Sequence, residues 1–368
     1  MGTISERKQK DGTLRYRAEI RINKNGTKFS QSATFSTKAL AKSWLKKREL
    51  ELETDPSLLQ KASKKSMTFK ELADSYLQVG TEFARSWKHT IHMLSRMPIG
   101  ELNVESMTVH DFNQFATARL KGDYKGYKPI STSTLNNNLM AIRGLLNYAE
   151  SLGLDVPFMD FEKSVRGLSR TRQITASKQR DRLPTNEELI KLTQYFTEKF
   201  NEQDAAIPMH LVIWFAIYTA RRQDEITRLR LADLEGDWWK LHNVKNPKGS
   251  LGNHKVFYIS DPAKNLIPLF CDPAVRLSQK KWLKNYDDAL LLPASSKTLS
   301  RMFTEACKVL GISDLHFHDL RHEACTRFAE QGLTIPQIQS RSLHKNWASL
   351  QIYVNARPRK NVIEFWDI

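Results

Sequence analysis

The chain has 368 residues, with 57 Lys and Arg against 40 Asp and Glu, for a formal charge of +17. That length predicts two or three domains, and that charge favours a polyanionic partner such as nucleic acid. No apolar run approaches membrane length, the amino terminus lacks a signal-peptide core, and Cys271, Cys307 and Cys325 stand apart without metal-ligand spacing, so a cytoplasmic protein with reduced thiols and no membrane partner is expected.

Residues 1–65 hold 16 basic and 7 acidic residues, a net +9. Leu14, Tyr16, Ala18, Ile20 and Ile22 alternate with Arg15, Arg17, Glu19 and Arg21, the period-two pattern of a strand with one apolar and one largely cationic face. Asn25-Gly26 predicts a hairpin turn, and Ala33 and Phe35 continue the apolar face on the returning strand. Thr37 can cap a helix to about Glu53, with Leu40, Ala41, Trp44 and Leu45 inward. With a short first strand over 3–7, this makes a three-stranded sheet on one helix. Such a sheet can be a solvated scaffold, or it can lie in the major groove, which admits a β-ribbon.

A polar link over 55–65 leads to Thr68, which forms a capping box with Glu71. Helices are predicted from there and over 87–97, 108–120 and 133–152. The last has the clearest apolar stripe, Leu135, Leu139, Ile142, Leu145, Leu146 and Ala149, with Gly153 as its stop. These four helices predict a bundle over 66–161. Seven basic and two acidic residues over 162–182, with little apolar periodicity, predict a basic linker. Leu183-Pro184-Thr185 then opens a last unit, 183–368, with Glu187 and Glu188 in its first helical turn. The fold class expected is α+β, mostly α.

The residues that carry chemistry lie in that last unit. A buried helix around Leu211, Trp214 and Tyr218 runs into Thr219-Ala220-Arg221-Arg222-Gln223-Asp224-Glu225. Two predicted strands, 238–242 and 255–259, flank a turn-rich segment with Lys245 and Lys248. His318 and Arg321 stand one turn apart on a predicted helix, so both can face one point. His344 follows, and Tyr353 lies nine positions later. Arginines can hold phosphoryl oxygens, imidazoles can donate hydrogen bonds and move protons, and a phenol can attack phosphorus. Each feature alone is weak; the ordered set is specific.

That order and spacing resemble the signature of the tyrosine recombinases, the phage-integrase family. On its boxes Arg222 matches the first catalytic arginine, with Arg221 a competing candidate one place away. Glu225 matches the supporting acid. Lys245 matches the hairpin lysine, a general acid, with Lys248 as runner-up. His318 and Arg321 match the central box, His344 the later histidine and Tyr353 the nucleophile. A phenol of pKa about 10 needs a base, and His318 is the one expected. Ala220 stands where Gly is common, and Ser342-Leu343 replaces small residues before His344.

The resemblance implies a site-specific DNA recombinase that cleaves and rejoins strands through a 3′-phosphotyrosine and a Holliday junction. It implies a small mixed catalytic domain over 183–368 with its own β-sheet, a core-binding bundle over 66–161, and arm-type DNA binding by 1–65. It also implies a homotetramer on double-stranded DNA attachment sites, accessory DNA-bending or directionality proteins, and no cofactor. The apolar tail of Val362, Ile363, Phe365 and Trp366 would pack on a neighbouring protomer. The alternatives are a DNA invertase or resolvase of the same chemistry and a catalytically inactive DNA-binding regulator. A type IB topoisomerase fits the preceding domains less well.

Overall fold

The computed structural model describes residues 2–8, 14–24, 27–54, 67–80, 83–177, 180–202, 206–245, 250–353, 358–359 and 361–368. The chain divides into two compact units, Met1–Ser177 and Lys178–Ile368.

At the amino end, β1 (Gly2–Lys8), β2 (Leu14–Lys24) and β3 (Thr27–Phe35) form an antiparallel meander. The register sets Ala18 between Ile4 and Ala33, and Ile20 between Gly2 and Gln31. The two-residue period therefore puts Ala18 and Ile20 on one face, which α1 (Lys38–Thr54) covers with Ala41, Leu45 and Leu52. Leu40, expected inward, is 53% exposed. Ala41 takes the inward position, and a helix turns its neighbour away by about 100°. The Asn25-Gly26 turn lies outside the described residues, although Lys24 and Thr27 pair across it. The other face carries Arg17 and an Arg21–Glu19 ion pair of 2.9 Å.

The rest of the first unit is a bundle of α2 (Phe69–Val79), α3 (Arg85–Ser95), α4 (Val109–Lys121), α5 (Thr132–Ser151) and α6 (Phe158–Arg170). Thr68 and Thr108 close capping boxes with Glu71 and Asp111. All six predicted stripe residues of α5 are inaccessible to solvent. Each leucine or isoleucine buried this way stabilises the fold by about 1.5–3 kcal/mol. The linker expected over 162–182 is corrected in its first part, which is helix α6. Phe161, Ser164 and Leu168 recur at helical spacing and are buried, while Lys163, Arg166 and Arg170 face solvent. The charges masked a short apolar stripe.

In the second unit, α7 (Asn186–Asn201) starts at a Thr185–Glu188 capping box. It packs on α8 (Met209–Thr219), an apolar helix buried except at His210. A helix apolar on every side belongs in the centre of a domain, and α10 (Asp261–Phe270) and α13 (Asp319–Glu330) pack against it as well. The short α9 (Gln223–Ile226) follows α8 directly. The second sheet, β4 (Leu234–Glu235), β5 (Trp238–Leu241) and β6 (Lys255–Tyr258), is antiparallel and carries Lys245 beyond the end of β5. Next come α11 (Pro273–Trp282), α12 (Ser296–Val309), α14 (Ile335–Ser342) and a 3₁₀ turn, Trp347–Tyr353.

Part of the apolar tail packs on its own unit, while Trp366 is 57% exposed. The Phe365 amide donates to the Tyr218 hydroxyl at 2.9 Å, Arg327 donates to the Ile363 carbonyl at 3.0 Å, and Ile363 and Phe365 lie against the main core. Among the described residues no helix is long and apolar enough to cross a membrane.

Candidate active site

The site is assembled where α8 ends. Ala220 caps that helix in the left-handed conformation (φ 54°), and Arg222 follows in an extended one. This break sends two adjacent arginines to different environments. Arg221 is completely buried: its guanidinium lies 4.3 Å over the Phe257 ring and donates to the Thr219 carbonyl at 3.1 Å and the Arg341 carbonyl at 2.6 Å. It ties α8 to the end of α14. Arg222 keeps about a third of its side chain exposed and donates to Glu225 Oε1 at 2.7 Å. Glu225 in turn accepts from the Arg222 amide at 3.2 Å, which starts α9.

Arg321 comes to the same point from α13. It is 2% exposed, donates to the Ala220 carbonyl at 2.6 Å, and stands 3.9 Å from Glu225. Its Nε and Nη2 are buried and make no hydrogen bond among the described residues. Burial and the neighbouring Arg222 and Arg221 push it down to about 9, so it remains a cation at neutral pH. Burial alone would raise the Glu225 carboxyl; Arg221, Arg321 and Arg222 outweigh it and hold the group below its ordinary value.

A cleft of about 510 Å³ brings together Arg222, Glu225, Lys245, His318 and Arg321. His318 stays accessible there, yet the protein packed around its ring, then Arg321, His322 and Arg222, push it down to about 4. The ring is therefore neutral at physiological pH. Lys245 also lines an adjoining cleft with Gln339, Leu343 and His344, so it stands between the two groups. Lys248 lies outside the described residues. Leu343 occupies the left-handed cap of α14 (φ 58°), where the sequence departs from small residues. His344 Nδ1 meets the Ser342 hydroxyl at 2.7 Å. Burial, followed by Arg321 and Arg222, pushes His344 down to about 2.

Tyr353 is not among the residues that line either cleft. It is 5% exposed and packs with Ala220, Ala324, Cys325, Phe328, Ile338 and Leu350. Its hydroxyl is 2.7 Å from Nδ1 of His322, the residue after Arg321. Burial, then the neighbouring Cys325, raises the phenol well above its ordinary value.

Residues 184–360 match the model of the Phage integrase family. The chain carries a domain of that family, the tyrosine recombinases. It is accordingly a DNA strand-transferring enzyme of site-specific recombination. This recombinase is 25% identical over 299 residues to the shufflon-specific DNA recombinase of Escherichia coli, covering 80% of this chain and 70% of that protein. It is 26% identical over 172 residues to a prophage phiRv2 integrase of Mycobacterium tuberculosis, covering 40% of this chain and 43% of that one. It shares its fold with lambda integrase, solved as a dimer bound to a COC′ core site, at TM-score 0.60, 17% identity and coverage of 98% and 97%. A lambda integrase tetramer bound to a Holliday junction gives TM-score 0.57, 17% identity and the same coverage. A Tn1549 transposon integrase in complex with transposon right end DNA gives TM-score 0.59, 16% identity and coverage of 80% and 96%.

Two features of the recombinase site were not read from its sequence. His322 touches the tyrosine, and its only sequence signal is its place directly after Arg321. Arg180, expected in a linker, reaches Asp319 at 3.1 and 2.9 Å and Asp314 at 2.9 Å. Asp319 is fully buried at the start of α13 and accepts from the His316 amide at 2.8 Å. Arg180 thus braces the helix that carries His318, Arg321 and His322. Among the described residues no group of three or more His, Cys, Asp or Glu is placed to hold a metal ion.

Proposed function

We propose that this recombinase cleaves and rejoins double-stranded DNA at attachment sites through a 3′-phosphotyrosine on Tyr353. The observation that carries the reading is the convergence of Arg222, Lys245, His318 and Arg321 on one cleft, with the Arg321 helix also touching Tyr353. Arg222 and Arg321 hold the non-bridging oxygens and stabilise the charge of the pentacoordinate transition state. Glu225 fixes the two guanidiniums. His318 and His344, both neutral, donate hydrogen bonds to the phosphoryl group. Lys245 protonates the departing 5′ oxygen. The phosphotyrosine conserves the bond energy, so religation needs no nucleotide cofactor.

In the same reading residues 1–65 bind arm-type sites, the bundle from 66 through α6 binds the core site, the stretch after α6 to 182 joins it to the catalytic domain and 183–368 catalyse. The fold shared with an integrase solved as a tetramer on a Holliday junction supports a homotetramer on DNA. Accessory DNA-bending or directionality proteins would set which reaction runs. The relative named as a shufflon-specific recombinase covers more of this chain than the prophage integrase does, which keeps an invertase or resolvase beside integration as a second reading. Sites placed in direct repeat, in inverted repeat and on separate molecules distinguish them.

The test is incubation with a nicked target duplex and denaturing electrophoresis. Tyr353→Phe should bind DNA and form no covalent adduct. An adduct that survives in this variant would place the nucleophile elsewhere.

A further inference from the structure

We propose that His322, rather than His318, is the general base that takes the proton from Tyr353. This rests on Tyr353 being the nucleophile. A candidate base must lie within hydrogen-bond reach of the proton it removes, and His322 Nδ1 is 2.7 Å from the phenol oxygen. His318 sits one turn earlier on α13, with its ring 5.4 Å from the His322 ring and edge-on to it, and it lines the arginine cleft. The two histidines divide the work: one faces the phosphate, the other the nucleophile.

Proton transfer to His322 needs a neutral ring with Nδ1 free to accept. His322 is half-buried, and burial holds it below its ordinary value, so the ring is neutral at physiological pH. A neutral imidazole accepts at one nitrogen and donates at the other. The phenol is protonated, since burial raises its pKa, and transfer to His322 uses the tautomer in which the hydroxyl donates to Nδ1 and the ring proton sits on Nε2. Cys325, the other polar group at the phenol, is itself raised by burial and stays a thiol, which is no base. The remaining charges around His322 are Asp319 and Arg321 from its own helix and Arg180 from the segment before α7. Asp319 is the one that favours a proton on the ring, and Arg180 holds that carboxylate in place.

The step balances. The Tyr353 oxygen forms its bond to phosphorus while its proton passes to His322 Nδ1. The bond from phosphorus to the 5′ oxygen breaks, and Lys245 delivers a proton to that oxygen. His322 ends as imidazolium and Lys245 as the amine. Religation runs the same transfers backwards, with imidazolium returning its proton to the departing phenolate.

The experiment measures single-turnover cleavage of a nicked duplex by the full chain across pH. His322→Asn keeps an acceptor for the phenol but cannot take its proton. It should bind DNA and melt like wild type, cleave roughly 10²–10⁴-fold more slowly, and show a rate that climbs steadily with pH. A more acidic fluorotyrosine at position 353 should recover much of the His322→Asn rate and leave His318→Asn slow. Sulfur at the 5′ bridging position, which leaves without a proton, should rescue Lys245→Ala and not His322→Asn. The proposal is overturned if His322→Asn cleaves within a few-fold of wild type, or if fluorotyrosine rescues His318→Asn instead. If His322→Asn folds poorly, His322→Gln, which likewise keeps an acceptor and cannot take the proton, is read by the same outcomes. Persistent adduct in Tyr353→Phe would defeat the nucleophile assignment itself, which separates that failure from this one.

Discussion

Replacing Arg221 and Arg222 singly by alanine should separate folding from catalysis at adjacent positions. Arg221 is wholly buried, with two backbone carbonyls as acceptors, the Phe257 ring beneath it and Glu225 Oε2 at 3.5 Å. Glu225 keeps Arg222 and Arg321 after the change, so the loss lies in the two charge-assisted hydrogen bonds to the Thr219 and Arg341 carbonyls, at about 1.5–3 kcal/mol each and about 3–5 kcal/mol together, since the two share one side chain. The cation–π contact is worth about 2 kcal/mol when desolvated, and it overlaps with that loss rather than adding to it. With roughly 2–4 °C per kcal/mol for a unit of this size, Arg221→Ala should melt roughly 6–20 °C below wild type. Arg222 is a third exposed, and its one side-chain partner, Glu225, keeps Arg221 and Arg321 after the change. Arg222→Ala should therefore lose about 1 kcal/mol or less, while cleavage falls roughly 10²–10³-fold. Thermal denaturation followed by circular dichroism, paired with single-turnover cleavage of a nicked duplex, measures both. If Arg221→Ala melts with wild type and loses cleavage as Arg222→Ala does, the division of labour argued from burial is wrong.

Lys245→Ala should slow cleavage of an ordinary phosphodiester by roughly 10²–10⁴-fold, with sulfur at the 5′ bridge restoring most of the rate; rescue of Lys248→Ala alone would move the acid to Lys248. Arg180→Ala frees the buried Asp319 carboxylate at the start of α13, so cleavage should fall roughly 10–10²-fold through misplacement while core-site affinity holds; an equal loss in affinity would make Arg180 a DNA contact. Removing residues 1–65 should abolish distal arm-site binding and spare weak core-site cleavage, and the isolated fragment should bind DNA with a steep salt dependence, as counterion release requires; a fragment without affinity at low salt would make the sheet a structural module. Burial pushes His210 on α8 from 6.5 down to about 4, so the unfolded chain takes up that proton first, and the stability present above pH 6.5 is lost as pH falls toward 4. His210→Leu should flatten that limb in denaturant titrations; an unchanged slope would mean the acid sensitivity lies elsewhere.

How much could be read from the sequence depends on the range of each interaction. The α5 stripe and the Thr68, Thr108 and Thr185 caps are set within a few residues, so periodicity and capping rules reach them. The candidate site residues could be named because their order along the chain matches a family signature, and Arg222, Lys245, His318 and Arg321 line one cleft. Arg180 could not be named, because its partner lies 139 residues away and a lone arginine among charges looks like solvated linker. His322 was hidden by the same gap in scale: 31 residues separate it from Tyr353, and α13 and the 3₁₀ turn must pack before the two meet. Helix α6 was lost to composition, since three buried positions carry the packing while its charges dominate the count. The choice between Arg221 and Arg222 was open because it turns on one backbone angle, at Ala220.

That angle also explains the charge balance at the site. By ending α8 in the left-handed conformation, Ala220 exposes a carbonyl that Arg321 takes from α13, and it delivers Arg221 and Arg222 to either side of Glu225. Three guanidiniums then face one carboxylate. Glu225 neutralises one of them, and the two remaining positive charges sit where water is scarce and Coulomb attraction is strong. Arg321 Nε and Nη2 add buried donors that make no hydrogen bond among the described residues. Leaving such groups unpaired is costly, and neighbouring cations already press Arg321 toward losing its proton. A phosphodiester brings one negative charge and two non-bridging oxygens, and the pentacoordinate transition state concentrates more charge on those oxygens. On the proposed reading Arg222 and Arg321 therefore interact more strongly with the transition state than with the bound substrate. This is the condition under which electrostatic preorganisation raises kcat rather than only tightening binding.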